Sequence, residues 1–424
     1  MKVDLERFTR PCECGHTHEI TVKGVWIEPG AVNRLDELTV GYRHPVIICD
    51  VNTKAAAAGS MKKYFETIEV LEVAGEDIHA NDIYVAKVQE ALTDQADLLI
   101  AVGAGTIHDL TRYTAYQRGL NFISVPTAAS VDGFVSSVAA MTWHGMKKTM
   151  TAVAPMCVLA DTDIFSKAPF RLTASGISDL MGKYTALLDW KVCHIVTGEY
   201  FCEPIYNLEL EAVKEVESVL DQIKKGEPEC MEKLMYALIL SGLAMQMIGN
   251  SRPASGAEHH VSHLWEMEII NDYIDALHGE KVSIGLILCL EYYEKIRKAI
   301  EEGNCRIVDG RAYETELLQQ TFGARGKYQE ALDENDPNLM ENLDLADLEA
   351  KLPQIAEELA KLPGSGKMQK LLSDAGCVTR MEEIQMPESL KEVTLRLCPY
   401  VRRRLTLLRL SKNFSFPGCL NIAG

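Results

Sequence analysis

The sequence predicts an α/β N-terminal part with a parallel, Rossmann-like sheet, followed by an all-α C-terminal part. Three observations predict this. From Pro45 to Ile164, short apolar runs alternate with helical patterns, as in chains of strand–helix–strand crossovers. Within that region, Leu98 to Val125 reads as strand, glycine turn, helix and strand in succession, which implies a right-handed parallel connection. Beyond Pro169, helical periodicity prevails to the C-terminus. The boundary is placed near Lys167, so that residues 1–166 form the α/β part with a short Cys/His-rich extension and residues 167–424 form the helical part.

The elements follow in order. In the extension, Cys12-Glu13-Cys14-Gly15-His16-Thr17-His18 gathers two thiols and two imidazoles, but the spacing is tighter than a CxxC knuckle. A surface hairpin or turn is the expected structure there, ahead of a metal site. Pro45–Asp50 reads as a buried strand ending in an acid, residues 52–63 as a helix, and Thr67–Val73 as a strand. Asp82–Leu92 reads as an amphipathic helix, Leu98–Val102 as a strand, Thr106–Gln117 as a helix and Phe122–Val125 as a strand. Cys157–Ile164 reads as the last strand. The helical part is expected to begin with Ser175–Trp190 and to continue through Tyr206–Lys225, Pro228–Met247, a start near Asn250–Pro253, Glu291–Glu302, Leu345–Lys361 and Gln369–Asp374. It ends in Pro387–Leu410, whose Arg402-Arg403-Arg404 reads as a solvated helix face or a subunit contact. Leu362–Met368 mimics a phosphate loop but lacks its first glycine, its Ser or Thr and a preceding strand, and reads as an interhelix loop.

Composition limits the function. The chain has 424 residues, 47% of them apolar, and a net charge of −18, which argues against nucleic acid and anionic membranes as broad partners. It leaves open a small anionic substrate held by a few local cations. No apolar run is read as a membrane span, and the N-terminus has no apolar signal core. Twelve scattered cysteines in a large acidic chain suggest reduced thiols and the cytoplasm.

Several stretches carry chemistry. Gly103-Ala104-Gly105 could bring a pyrophosphate to the amides of a helix N-terminus, or could be a plain strand-to-helix turn. Asp50 could accept from a ribose hydroxyl or cap the following helix. Pro126–Gly133 leaves a strand end with small and hydroxylated residues and reaches Asp132, and Ser136 and Ser137 extend this lining. In Ser175–Trp190, an apolar stripe faces away from Ser175, Asp179, Gly182 and Ala186, a small face that lets another element approach around one carboxylate. Four of the 11 histidines fall between His259 and His278. On a helix, His259 and His263 share a face and His260 points about 100° away. His278 precedes a glycine at the start of the next helix, so imidazoles from two helices can converge on one metal, or can serve as caps and buried hydrogen-bond groups.

At these residues the chain resembles the iron-containing alcohol dehydrogenase and dehydroquinate synthase superfamily, and within it the bacterial branch acting on a phosphorylated triose. The resemblance rests on GAGTIHDLTRY, SVPTAASVDGFVSS, SGISDLMGKY, SGAEHHVSHLWE and LHGEKVSIG in that order, covering about Pro45 to Gly285. The family's usual Gly-Gly-Gly is Gly103-Ala104-Gly105 here. The resemblance implies a nucleotide domain and a helical domain with catalysis in the cleft between them. It implies a divalent metal, Zn or Ni with Fe as a further candidate, on Asp179, His259 and His278. It implies substrate contact by Asp132 and His263, with Asp179 nearby. It implies NAD(H) or NADP(H) bound by Asp50, Gly103, Gly105, Thr106, Ile107, His108, Asp109, Thr127, Ala128, Ala129, Ser130 and Ser136. The implied reaction is NAD(P)H-linked reduction of glycerone phosphate to sn-glycerol 1-phosphate and its reverse. Independently of the resemblance, Arg252 and Lys281 are candidates for additional charge on the phosphate. A homo-oligomer, dimer or larger, is expected. Glycerol or another polyol as substrate, a dehydroquinate-synthase-like lyase, and a nucleotide-binding module without turnover are the alternatives.

Overall fold

The computed structural model describes residues 1–75 and 77–420. The chain forms two compact units, one of residues Met1–Leu180 with Asn207–Ser251, the other of Met181–Tyr206 with Arg252–Gly424. This division differs from a single boundary near Lys167, because helices beyond that point group with the sheet.

The first unit carries β1 (Gly24–Glu28), β2 (Pro45–Cys49), β3 (Glu69–Glu72), β4 (Leu98–Gly103), β5 (Asn121–Pro126), β6 (Val138–Trp143), β7 (Met146–Thr151) and β8 (Cys157–Asp161). Six of these make one parallel sheet in the order β1-β8-β5-β4-β2-β3. Helices α1 (Val51–Thr67), α2 (Asp82–Ala91) and α3 (Gly105–Arg118) connect them. Alternation along each strand builds two cores. Ile47, Ile100, Ile123 and Leu159 pack with Met61 and Tyr64 of α1 on one face. Val46, Ile48, Leu99 and Phe122 pack with Val85 and Val88 of α2 and Leu110 of α3 on the other. The chain leaves β2 for β3 at one edge and returns to β4 on β2's other side, so strand order reverses between β2 and β4. Connections diverge there, and in open α/β sheets ligands bind at the carboxyl ends of the strands beside such a reversal.

The antiparallel hairpin β6–β7, with Val138 opposite Thr151 and Trp143 opposite Met146, is absent from the sequence reading. Its second strand, MKKTMT, is largely exposed and carries two lysines, so no apolar alternation marks it. Residues 175–190 form not one helix but the end of α4 (Phe170–Met181) and the start of α5 (Lys183–Thr197), with the break at Gly182. Helices α6 (Glu203–Glu217) and α7 (Pro228–Ile248) follow, and a short helix, Leu220–Lys224, occupies the rest of the expected 206–225 element. α7 is long and apolar enough to cross a membrane, contrary to the expectation that no segment is, although 67% of its most apolar window is buried within the protein.

Two glycines in the first unit permit close approach. A Cβ at Gly176 of α4 would lie 2.0 Å from the Ala129 carbonyl oxygen, and one at Gly242 of α7 would lie 2.8 Å from the Asp132 carbonyl oxygen. The loop after β5 is therefore clasped by two helices.

In the second unit, α8 (Ala257–Glu266) begins later than the Asn250–Pro253 start expected from the sequence. Its first turn is fixed by tertiary acceptors instead of a local cap: Asp189 Oδ2 accepts from Ala257 N–H at 2.8 Å and Glu258 Oε1 from Gly256 N–H at 2.7 Å. α9 (His278–Glu301), α10 (Leu345–Leu359) and α11 (Ser365–Asp374) follow, so that helix already begins inside the expected 362–368 loop. The 387–410 stretch is short turns around two short helices, Lys391–Leu397 and Leu407–Leu410, and not a single helix. Arg402 and Arg404 are half-buried, and Arg404 Nη1 donates to the Ser255 carbonyl, so the arginine run is not a solvated helix face.

Candidate active site

At the carboxyl edge of the sheet, β4 ends at Gly103 and α3 begins at Gly105, with Ala104 as a cap that offers no side-chain acceptor. The first-turn amides of α3 thus rely on another acceptor, as at sites for phosphate oxygens. Ala104, Gly105, Thr106 and Asp109 are half-buried, whereas Ile107 and His108 are buried. The side chains of Ile107 and His108 therefore serve the core, and only their backbone can meet a ligand. His108 bridges Ala104 O through Nδ1 (2.9 Å) and Ser124 Oγ through Nε2 (2.7 Å), tying α3 to β5. Burial pushes its imidazole down to about 3.

Asp50, at the end of β2, caps α1, with Oδ1 accepting from Asn52 N–H (2.8 Å) and Thr53 N–H (2.9 Å). The Thr127 amide donates to Gly103 O at 2.9 Å, which ties the β5 exit to the glycine turn. Thr127, Ala128, Ala129 and Ser130 are buried, and Ser130 Oγ has no hydrogen-bond partner among the described residues. The Ser136 hydroxyl is engaged locally with the N–H and C=O of Val138, which weakens its assignment to a cofactor.

Asp132 is held from two sides. Its amide donates to Asp179 Oδ2 at 3.0 Å, and its Oδ2 accepts from Ser241 Oγ at 3.1 Å. Asp179, buried in the last turn of α4, thereby fixes the loop that carries the other acid. Sequence reading missed Ser241 and also Arg112, a buried guanidinium that donates to Gly133 O (2.5 Å), Phe134 O (3.3 Å) and Val138 O (3.0 Å). An arginine within a helical pattern gives no signal of that reach.

In the second unit, α8 and α9 bring three imidazoles together, with ring centroids 5.2 Å apart for His259 and His278, 5.6 Å for His263 and His278, and 6.0 Å for His259 and His263. A Cβ at Gly285 of α9 would meet the Glu258 carbonyl oxygen at 2.6 Å, so glycine lets the helices close to this distance. Two of the rings are backed by carboxylates: Glu258 Oε1 lies 2.7 Å from His259 Nδ1, and Glu266 Oε1 lies 2.9 Å from His278 Nδ1. Carboxylates only accept, so each Nδ1 carries the proton and each Nε2 presents its lone pair, the arrangement of a metal-ligating histidine. Burial favours a neutral Glu258, but donors from His259, Thr185 and Gly256 hold its carboxyl below the ordinary range. His263, Glu266 and His278 form a second donor triple with ligand atoms within 4.8 Å, but Glu266 would have to leave its bond to His278 to serve as a ligand.

His260 is fully buried and outside these ring contacts. Burial, with Arg404, Arg402 and Arg409 as charged neighbours, keeps it neutral. Arg252 is engaged by Glu199 at 2.5 Å and by Leu405 O at 2.7 Å, so the guanidinium offered for phosphate is a structural tie. Lys281 remains beside the site, 3.6 Å from Glu266.

Residues 26–169 match the family model of the iron-containing alcohol dehydrogenases. The chain is 32% identical over 417 residues to a glycerol-1-phosphate dehydrogenase [NAD(P)+] of Geobacillus stearothermophilus, covering 96% of each chain. It is 36% identical over 303 residues to the enzyme of the same name from Geobacillus thermodenitrificans, covering 69% of this chain and 75% of that one. Among solved structures, a 1,3-propanediol oxidoreductase superposes with a TM-score of 0.62 at 15% identity, covering 93% of this chain and 96% of that one.

Proposed function

The chain belongs to the glycerol-1-phosphate dehydrogenases of the iron-containing alcohol dehydrogenase family, and from that membership we propose that it interconverts glycerone phosphate and sn-glycerol 1-phosphate with NAD(H) or NADP(H). The full-length relationship carries this reading.

The dinucleotide is assigned to the crevice where strand order reverses, with its pyrophosphate at the uncapped start of α3 and its ribose toward Asp50. NADH is the preferred form, since a carboxylate beside the ribose repels a 2′-phosphate. Thr127–Ser130 and Asp109 complete this assignment. The metal ligands are assigned as Asp179, His259 and His278, a donor set of one oxygen and two nitrogens that suits Zn²⁺, Ni²⁺ or Fe²⁺. The carboxylate-backed rings support the two imidazole assignments.

When bound, the metal supplies Lewis-acid polarisation of the substrate's carbonyl oxygen and the reduced nicotinamide supplies the hydride. The protein's own part is placement and proton handling. Asp132, fixed by Ser241 and by its amide bond to Asp179, orients the substrate's hydroxyls. His263, one helical turn beyond His259, exchanges a proton at the substrate oxygen. Lys281 adds positive charge for the phosphate. The enzyme is assigned to the cytoplasm, because twelve scattered cysteines in a large acidic chain suit a reducing compartment.

The test follows NADH absorbance with glycerone phosphate and with dihydroxyacetone, alongside metal analysis of variants. Faster turnover of the phosphorylated ketone is expected, and preference for dihydroxyacetone would replace this reading with a polyol dehydrogenase. Asp179→Ala, His259→Ala and His278→Ala should each lose metal and turnover, and His260→Ala should keep its metal. The opposite pattern for His259 and His260 would overturn the ligand assignment.

A further inference from the structure

We propose a second metal site, structural in role, at Cys12, Cys14 and His18. The Cys12–His16 segment does form the expected turn: the Cys12 amide donates to His16 O and the Gly15 amide to Cys12 O, both at 2.9 Å, with Gly15 at φ 86°. The turn also gathers donors. One ligand atom from each of Cys12, Cys14 and His18 lies within 4.8 Å of the others. Cys14 Sγ is 3.5 Å from His18 Nε2. A tetrahedral zinc with Zn–S of about 2.3 Å and Zn–N of about 2.0 Å sets sulfur and nitrogen about 3.5 Å apart. The other nitrogen, His18 Nδ1, lies 2.9 Å from the Met247 carbonyl oxygen, which fixes the tautomer and aims Nε2 at the sulfurs. His18 is 6% exposed, so the imidazole is already desolvated and oriented.

The placement explains the role. Met247 lies in the last turn of α7. Its neighbour Gln246 accepts from the Thr21 amide at 2.8 Å and donates to the Val135 carbonyl, and Ser241 of the same helix bonds Asp132. A metal at this turn therefore staples the N-terminal segment to the helix that holds the Asp132 loop. Binding two thiolates releases their protons and requires no redox partner.

Tag-free protein loaded with Co²⁺ tests the proposal. Thiolate-to-cobalt charge-transfer absorbance in the near ultraviolet is expected, which a site of imidazoles and carboxylates alone does not give. Cys12→Ser/Cys14→Ser should abolish that absorbance, lower the metal content by one ion per chain relative to the parent, and lower the unfolding temperature. A parent spectrum with no thiolate band overturns the proposal without recourse to any variant. So does a double variant with undiminished metal content. The catalytic assignment has no thiol among its ligands, so its failure would leave the thiolate band in place.

Discussion

Glu258 precedes His259 in sequence and holds its Nδ1 in space, so the charge that tunes the imidazole comes from its own helix turn. Glu258→Gln is expected to weaken metal binding about 10- to 100-fold with the fold retained, as read by metal titration; unchanged affinity would remove the carboxylate from the site. Asp50→Asn separates two roles, because asparagine caps a helix about as well as aspartate. Stability should hold while the ratio of kcat/KM for NADPH over NADH rises. His108 gives a pH dependence. Its pKa falls from an ordinary 6.5 to about 3 on folding, so the unfolded chain takes up the proton first and stability declines as pH falls below 6.5. The slope approaches ~1.4 kcal/mol per pH unit and ends near pH 3. Urea titrations of His108→Gln should lack this component. At this scale the histidine concentration was visible in the sequence, but the carboxylates behind the rings were not. Whether Glu258 faces solvent or its neighbour's Nδ1 depends on rotamers set by Thr185 and the Gly256 amide, which are distant or backbone partners.

Among the elements, β2, β4, β5 and β8 were legible because they are short, apolar and almost wholly buried, and the exposed edge strand β3 was legible from its position between two helical patterns. β1 and β7 were not. β1 pairs with β8 on one side and with the short Met1–Val3 segment on the other, after an irregular extension, and β7 is polar. The N-terminus of α8 was misread because Asp189, 68 residues earlier, caps it in place of a local residue. Of the small face read from the sequence, Ser175 donates to the Ser130 carbonyl and Asp179 accepts from the Asp132 amide, and Gly176, beside that face and not part of the reading, lies closest to the loop. Gly176→Ala would drive a methyl group to 2.0 Å from Ala129 O, so the helix or the 127–130 loop must move. A loss of about 1–3 kcal/mol in urea unfolding is expected, together with a raised KM for the dinucleotide. An unaffected KM would detach this loop from the cofactor.

For the molecule as a whole, every residue assigned to the dinucleotide lies in the first unit, while two of the three assigned metal ligands lie in the second. NADH should therefore raise the thermal midpoint of chelator-treated protein nearly as much as of untreated protein. At 100 times Kd the stabilisation is about 2.7 kcal/mol. A shift that vanishes on chelation would tie cofactor binding to the metal. The division into units has another consequence, for synthesis. The sheet-bearing unit is interrupted by residues 181–206 and is complete only at Ser251. At translation rates of about 5–20 residues per second, its strands leave the ribosome well before the helix that clasps the Asp132 loop exists. For roughly 5–18 seconds the nascent chain carries a parallel sheet with one side unfinished, which makes this interval the natural point for chaperone engagement and the weak point for expressing any truncated form.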